Sequence, residues 1–146
     1  MNRRTTSLYA VAMTFALLIT LGVQELYSDD LNMSATCSNT YLTGLYGFYR
    51  TGFRVEEGPI AGVGTCDFDG KGNWTILENA SRNGKFAYTK FSGRIQIAPD
   101  CRFQAFNESG DLLASGVVVD DGKEFILLNR RSGNSVVLIG KKIHSK

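Results

Sequence analysis

Residues 69–84 read DGKGNWTILENASRNG, a run that decides the fold because a short strand-like segment lies between two turns. The turns at 69–72 and 83–84 carry Asp, Asn and Gly, the residues that adopt the positive φ angles of tight hairpins. Both turns are too short to hold a crossover helix. This unit therefore predicts a β-strand that pairs antiparallel with the strands on both sides.

The same arrangement continues in both directions, because 15 of the 16 glycines follow Thr40 and separate short strand-like runs. Each gap is too short to hold a crossover helix, so neighbouring strands are expected to pair as a meander. Eight sequential strands close most economically into an up-and-down barrel. The predicted strands are 42–53, 59–68, 72–81, 85–97, 101–107, 112–119, 124–129 and 135–142.

Apolar residues occupy both faces of the last three strands, at 117–119, 125–128 and 136–139. In the strands of a barrel whose outer face is exposed to solvent, apolar and polar residues would alternate more regularly. Either a further segment or a second chain covers this wall, or the fold is a two-layer β-sandwich. The fold class is therefore all-β, an eight-stranded antiparallel up-and-down barrel of calycin-like form, with the sandwich as the alternative and self-association left open.

The fourth strand changes its apolar phase, from Phe86 and Tyr88 to Phe91 and the alternate positions after it. A one-residue change of phase is typical of a β-bulge. The sequence therefore predicts a bulge near Thr89 or Lys90.

The N-terminus has the layout of a secretory signal. Arg3 and Arg4 precede an uncharged, mostly apolar run at 8–23, and a polar segment follows. That run is shorter than the roughly 20 residues that span a bilayer, although an uncleaved anchor is the alternative. We expect a signal peptide at 1–30 and a single barrel domain at 31–146, secreted or periplasmic and without a membrane span after cleavage.

Charge and cysteine content limit the partners and the compartment. From Leu31 onward 14 Lys and Arg are interspersed with 11 Asp and Glu, a balance that does not suggest a nucleic-acid partner. Three cysteines in an exported chain suggest one disulfide and one free thiol. Cys37 with Cys101 is the favoured pair, since both lie outside the alternating pattern near strand starts, whereas Cys66 lies within a strand.

Few residues offer catalytic or metal chemistry. His144 is the only histidine, which removes Ser-His-Asp, Cys-His and multi-histidine sites together. Residues 67–78 match a calcium loop at several positions, but Lys71 replaces an oxygen ligand and strands replace the flanking helices. We therefore predict no metal and no cofactor. Glu78 and Glu124 are the carboxylates to inspect, because each lies within or beside an apolar strand.

The aromatic residues supply the candidate binding site. An eight-stranded barrel is either filled by side chains or holds one small ligand. Glycines within the strands either bend the wall or leave room near the axis. If a cavity exists, we expect Tyr46, Phe48, Trp74 and Tyr88 to line it.

Several segments resemble a family of uncharacterised exported bacterial proteins: LTGLYGF at 42–48, FDGKGN at 68–73, DC at 100–101 and GKE at 122–124. The resemblance covers residues 37–142 and implies recurring glycines and a disulfide between the two matching cysteines, but it names no catalytic residue. A weaker similarity, to the lipocalin and avidin-type calycin barrels, rests on Gly44-Leu45-Tyr46 in the first strand, where those have Gly-x-Trp.

Three functions remain open at this point. The first is non-enzymatic binding of a small apolar or amphipathic ligand inside the barrel. The second is a structural or interaction module that acts through an exposed sheet face. The third is a cyclase- or isomerase-type barrel enzyme with Glu78 or Glu124 as acid or base. The balance is against catalysis, because no catalytic motif is present.

Overall fold

The computed structural model describes residues 36–143; the predicted signal peptide lies outside that range. Eight antiparallel strands follow one another along the chain, with one short 3₁₀ helix before the first strand and another before the seventh. The bounds are β1 Thr43–Arg54, β2 Gly58–Asp69, β3 Asn73–Arg82, β4 Lys85–Ile97, β5 Arg102–Asn107, β6 Leu112–Val119, β7 Glu124–Asn129 and β8 Asn134–Lys142, with the 3₁₀ helices at Asn39–Tyr41 and Asp120–Gly122.

The sheet is a closed barrel in which every strand pairs with its sequence neighbours and β1 also pairs with β8. The predicted eight-stranded up-and-down barrel is therefore confirmed, and the sandwich alternative is wrong. The β3–β4 turn shows the local cause, since Asn83 and Gly84 have φ angles of 47° and 79°. Two consecutive positive φ angles are typical of the type I′ turn, whose twist matches that of the flanking strands.

The predicted bulge near Thr89 or Lys90 is wrong. Pairing between β3 and β4 runs without a shift from Asn73↔Arg94 to Arg82↔Lys85. The register shift lies instead between Ala105 and Phe106, where β5 pairs with β6. The apolar phase of β4 changes because its first half carries aromatic residues on the outer side of the barrel.

One end of the barrel is filled by aromatic rings. Tyr46 and Phe125 stack edge-on with Phe68, at centroid distances of 5.3 Å in each case. Glycines on the neighbouring strands make room for such rings: a Cβ at Gly140 would lie 2.3 Å from the Phe125 ring, and one at Gly93 would lie 2.6 Å from that of Trp74. The interior glycines thus leave space for a packed core at this end.

The segment before β1 crosses the same end. The amide of Cys37 donates to Pro99 in the β4–β5 connection (3.1 Å), and the backbone of Tyr41 packs on Gly122, in the β6–β7 connection. Leu42 has no exposed surface, and Tyr46 donates its hydroxyl hydrogen to the Gly122 carbonyl. We call this the closed end.

The disulfide joins Cys37 to Cys101 with a Cα–Cα distance of 5.0 Å, so the favoured pairing is confirmed. A disulfide fits an exported protein, because oxidising compartments preserve such bonds. Between residues 36 and 143, no helix has the length and apolarity needed to cross a membrane.

The opposite end has a wall of uneven height. The β5 strand pairs with β4 only from Gly93 to Ile97, whereas β4 and β3 continue together to Lys85↔Arg82. The β3–β4 hairpin therefore extends well above the end of the β5–β6 hairpin. We call this the open end.

Candidate ligand-binding site

The four aromatic residues of the predicted site lie in different places. Tyr46 and Phe48 are buried in the core. Trp74, with 5% of its surface exposed, lines a chamber inside the barrel. Tyr88 is 64% exposed and pairs with exposed Asn79 on the outer side of the wall, so it does not face the interior. Of the four, only Trp74 borders this chamber.

The chamber has a volume of about 80 Å³ and an almost entirely apolar wall. Since a water molecule in the liquid occupies about 30 Å³, it has room for only a few non-hydrogen atoms. Trp74 packs edge-on against Phe91 at 5.8 Å. Its Nε1 has no acceptor among the described side chains and backbone. An acceptor supplied by a bound molecule would offset the cost of that buried donor.

Above the chamber, toward the open end, lies a larger cavity of about 330 Å³. The two cavities share Arg50, Phe91, Leu113 and Asn129 in their walls, so one lies directly over the other. The residues that line the larger cavity include five cationic ones and no acidic one, although Glu78 and Glu57 lie beside it and pair with Arg50 and Arg54. The cationic residues are Arg50, Arg54, Arg82, Lys90 and Arg131. We call this cavity the arginine mouth.

Arg50 and Glu78 form a buried ion pair at the floor of the arginine mouth. Their residues are 8% and 1% exposed, and Arg50 Nη2 donates to Glu78 Oε2 over 2.5 Å. Arg50 Nε also lies against Glu78 Oε1, although that contact is not aligned as a hydrogen bond. The Thr89 hydroxyl donates to the same carboxylate at 3.3 Å. Gly62 lies against the pair, since a Cβ there would approach Glu78 Oε1 to 2.3 Å.

Burial lowers the pKa of Arg50 from its usual value, and the adjacent Glu78 carboxylate opposes that change. A guanidinium starts from so high a pKa that it stays protonated in proteins. The floor of the mouth therefore holds a neutralised pair of opposite charges.

A second carboxylate organises the rim. Glu57 accepts a hydrogen bond from Arg54 Nη1 at 2.8 Å and lies 3.4 Å from Arg82 Nε. The hydrogen bond from Arg54 lowers the pKa of Glu57. Glu78 and Glu57 each pair with arginines of the mouth, which leaves an excess of positive charge around the cavity. Such a concave cationic surface favours an anion.

The arginines were missed at the sequence level, although one signal was present. Arg50 follows Tyr46 and Phe48 in the inward-facing phase of β1, and all three are buried. A charged residue in an otherwise apolar phase requires a partner. Glu78 was selected from its strand position, and the structure places it inside. Glu124 lies beside Lys141 at 3.3 Å, on the outer wall and away from the site.

Cys66 does not offer a reactive thiolate. It is buried in the wall of the chamber, and burial raises the pKa of its thiol. A thiol, unlike a thiolate, is a weak nucleophile.

The calcium-like segment is a hairpin turn held by its own carboxylate. Asp69 accepts hydrogen bonds from the amides of Lys71 (2.7 Å) and Asn73 (2.9 Å), and from the Asn73 side chain at 2.6 Å. Over the described range, no three His, Cys, Asp or Glu side chains converge as metal ligands. Both carboxylate oxygens of Asp69 accept hydrogen bonds within the turn.

These hydrogen bonds, that of the Asn73 side chain foremost, lower the pKa of Asp69. Because the folded pKa lies below the unfolded value, the stabilisation is present above the unfolded pKa and is lost as pH falls through the folded one. We expect Asn73→Ala to raise the pKa of Asp69 toward its ordinary value, measured by a carboxyl ¹³C NMR titration. The matched control, Asn79→Ala, changes an exposed asparagine of the same strand and should leave that titration in place; equal shifts in both variants would contradict the assignment.

No family model matches the chain, and no curated protein matches it. Among solved structures, a de novo designed fluorescence-activating β-barrel is similar to it, with 14% sequence identity and a TM-score of 0.47. The match covers 71% of this chain and 95% of the designed one.

Proposed function

We propose that the barrel binds a small amphipathic anion at its open end without changing it chemically. The observation that carries the proposal is the arginine mouth directly above an apolar chamber. The acidic group of the ligand pairs with the mouth arginines, and its apolar end points toward Phe91, Leu113 and Trp74. Binding sites of this kind combine an apolar wall with a few placed polar groups.

The size of the two cavities defines how the ligand lies. The chamber, at about 80 Å³, accepts only the tip of an apolar chain. The mouth, at about 330 Å³, holds the rest together with the acidic group. A short-chain amphipath therefore fits better than a bulky polycyclic one.

The buried ion pair favours binding over catalysis. Glu78 is the one carboxylate of the described chain that is buried inside the barrel, and its oxygens already meet Arg50 and Thr89. A general acid or base must be within hydrogen-bond reach of the reacting proton. Glu78 is instead directed to a neighbouring guanidinium, which fits a structural role at the floor of the site.

Trp74 provides the readout for a direct test, because it is the only tryptophan of the chain and lines the chamber. We expect octanoate to change its fluorescence in a saturable titration. Octylammonium has the same chain length and the opposite charge, so it should give no saturable change at equal concentrations. Equal responses to the two probes would contradict a site for anions.

Arg131→Gln tests the role of the mouth in the same titration. Arg131 is an exposed mouth residue, so its substitution removes charge with little effect on the core. We expect octanoate affinity to fall about fivefold, equivalent to about 1 kcal/mol. Arg94→Gln removes an exposed arginine of β4 that does not line the mouth and should bind as wild type. Similar losses in both variants would show only a general effect of net charge.

A second candidate function, an interaction module, has one observation in its favour. An apolar row crosses five strands on the outer wall through paired positions. Tyr49 and Val63, which pair within it, are 51% and 59% exposed. The full row is Val117, Ile126, Ile139, Tyr49 and Val63. Exposed apolar surface of this kind is typical of contact with another macromolecule.

A further inference from the structure

The first half of β4 is a strand edge with one partner only. It pairs with β3 from Lys85 onward, but its pairing with β5 begins at Gly93. Among residues 36–143, no strand lies beside Lys85–Ser92 on the β5 side. A barrel normally removes such edges, because unpaired N–H and C=O groups attract further strands. Only Ser92, the last residue of this stretch, meets the β5–β6 connection, where its hydroxyl donates to Glu108 at 2.5 Å; the rest of the stretch remains available at the open end.

The direction of the backbone groups follows from observed hydrogen bonds. The amide of Ile95 donates to Gly72 on the β3 side, and the amide of Ala98 donates to Arg102 on the β5 side. Because N–H and C=O directions alternate along a strand, odd-numbered residues of β4 face β3 and even-numbered residues face away. Phe86, Tyr88 and Lys90 therefore present their backbone groups at the free edge.

The side chains along this edge divide into two chemically distinct sides. Phe86 and Tyr88 lie on the outer side, 88% and 64% exposed. Thr89 and Phe91 lie on the inner side and line the arginine mouth. Side chains of a strand added beside β4 would alternate in the same way. One set would face the exposed aromatic residues, and the other would face the mouth.

Charge selects the occupant. Arg82 and the other arginines of the mouth surround the inner side of the edge, whereas Lys90 follows Phe86 and Tyr88 in the outer phase. A second copy of this chain would bring two such cationic rims together, whereas carboxylates on alternate residues of a different strand would meet them with opposite charge. We propose that the Lys85–Ser92 edge binds an extended segment of a partner protein in which carboxylate and apolar side chains alternate. The segment completes the low part of the wall by strand addition.

A labelled model peptide tests the chemistry directly. The probe is fluorescein-(Val-Glu)₄-amide, whose eight residues match the length of the edge, and binding to the wild-type barrel is measured by fluorescence anisotropy. Saturable binding at least tenfold tighter than that of fluorescein-(Val-Lys)₄-amide supports the proposal. Equal affinity for the two peptides, or no binding of the acidic one, overturns it.

Tyr88→Pro tests the backbone pairing. Proline removes an N–H that faces the free edge and leaves the bonds to β3 in place, and edge positions tolerate it. Tyr88→Val also removes the aromatic ring but keeps the N–H, so it is the matched control. We expect the proline variant to bind the acidic peptide at least tenfold more weakly than the valine variant. Equal affinities overturn strand addition.

Two further measurements remove the remaining ambiguities. A (Val-Glu)₄ peptide with N-methyl groups on every second residue cannot pair along one side, and its loss of binding to wild type supports the proposal without relying on any variant. Octanoate titration of Tyr88→Pro, read from Trp74, reports whether its mouth is intact, so failure of the peptide site and failure of the anion site are distinguishable. Dimerisation of the wild-type protein in sedimentation experiments, abolished by Tyr88→Pro, would assign the edge to a second copy and overturn the proposal.

Discussion

Glu78→Gln is expected to lower the free energy of unfolding by about 3–5 kcal/mol, the range for breaking one half of a buried ion pair. The substitution keeps the shape of the side chain but leaves the Arg50 guanidinium without its carboxylate. Arg50 has only 8% of its surface exposed, so water replaces the lost partner only in part. Urea unfolding followed by Trp74 fluorescence measures the change.

Glu124→Gln is the matched control for this measurement. Glu124 pairs with Lys141 at 3.3 Å on the outer wall, where the lysine side chain is 75% exposed. Surface ion pairs of this kind contribute about 0–1 kcal/mol. If Glu78→Gln lowered the free energy of unfolding no more than Glu124→Gln does, the buried Arg50–Glu78 pair would contribute no more to stability than a surface ion pair.

Removing both charged groups separates the attraction between Arg50 and Glu78 from the cost of burying one of them unpaired. We expect Arg50→Met combined with Glu78→Leu to destabilise the barrel less than either single substitution, because apolar residues can replace a buried pair at little cost. Simple addition of the two single losses would contradict this reading. The double variant should also lose octanoate affinity, since Arg50 lines the mouth.

The strand order could be predicted because the residues of each hairpin turn determine that turn locally. Asp69 with its neighbours, and Asn83 with Gly84, fix turns through side-chain hydrogen bonds and positive φ angles. With every connection short, only sequential antiparallel pairing remained. The disulfide could be predicted because Cys37 and Cys101 lie outside the alternating strand pattern near strand starts, whereas Cys66 lies within a strand, where the structure has it free and buried.

The height of each strand at the open end could not be predicted in the same way. Tyr88 faces outward because it pairs with the exposed Asn79, in the phase opposite to the buried residues of β3. That register is a property of the paired strands and not of β4 alone. The bulge predicted near Thr89 or Lys90 explained the change of apolar phase in β4 from that strand alone. The change arises instead because the first half of β4 carries aromatic residues on the outer side. Before Gly93 in the sequence, β4 has no β5 partner, and Phe86 and Tyr88 keep the outer phase of an unbroken β3–β4 ladder.

The arginine mouth likewise forms only because the strands close into a barrel. Arg50 belongs to β1, Arg82 to the end of β3 and Arg131 to the β7–β8 connection. These positions are 32 and 49 residues apart along the chain, and no local pattern joins them. The barrel brings them to one end, and the low β5–β6 wall leaves them accessible.

Removal of the disulfide is expected to lower the free energy of unfolding by about 4 kcal/mol, because the bond closes a long loop in the unfolded chain. Cys37 and Cys101 are 64 residues apart, and loop closure in the chain-entropy model depends on that separation. The bond also holds the segment that crosses the closed end, where Leu42 is fully buried. The test is urea unfolding of Cys37→Ser/Cys101→Ser against the parent protein.

The experiment is best performed in a Cys66→Ala background, so that no thiol remains to exchange with the disulfide. The Cys66→Ala parent, with the bond intact, serves as the control for the small cavity that the substitution leaves. If the bond acts on the unfolded chain, the loss of stability should appear with the native fluorescence of Trp74 unchanged, because that residue lies in the chamber and not at the crossing segment. Octanoate affinity should then persist below the unfolding transition. A loss of less than about 1 kcal/mol would show that packing of the crossing segment at Leu42, together with Tyr46 of β1, holds the closed end without the covalent link.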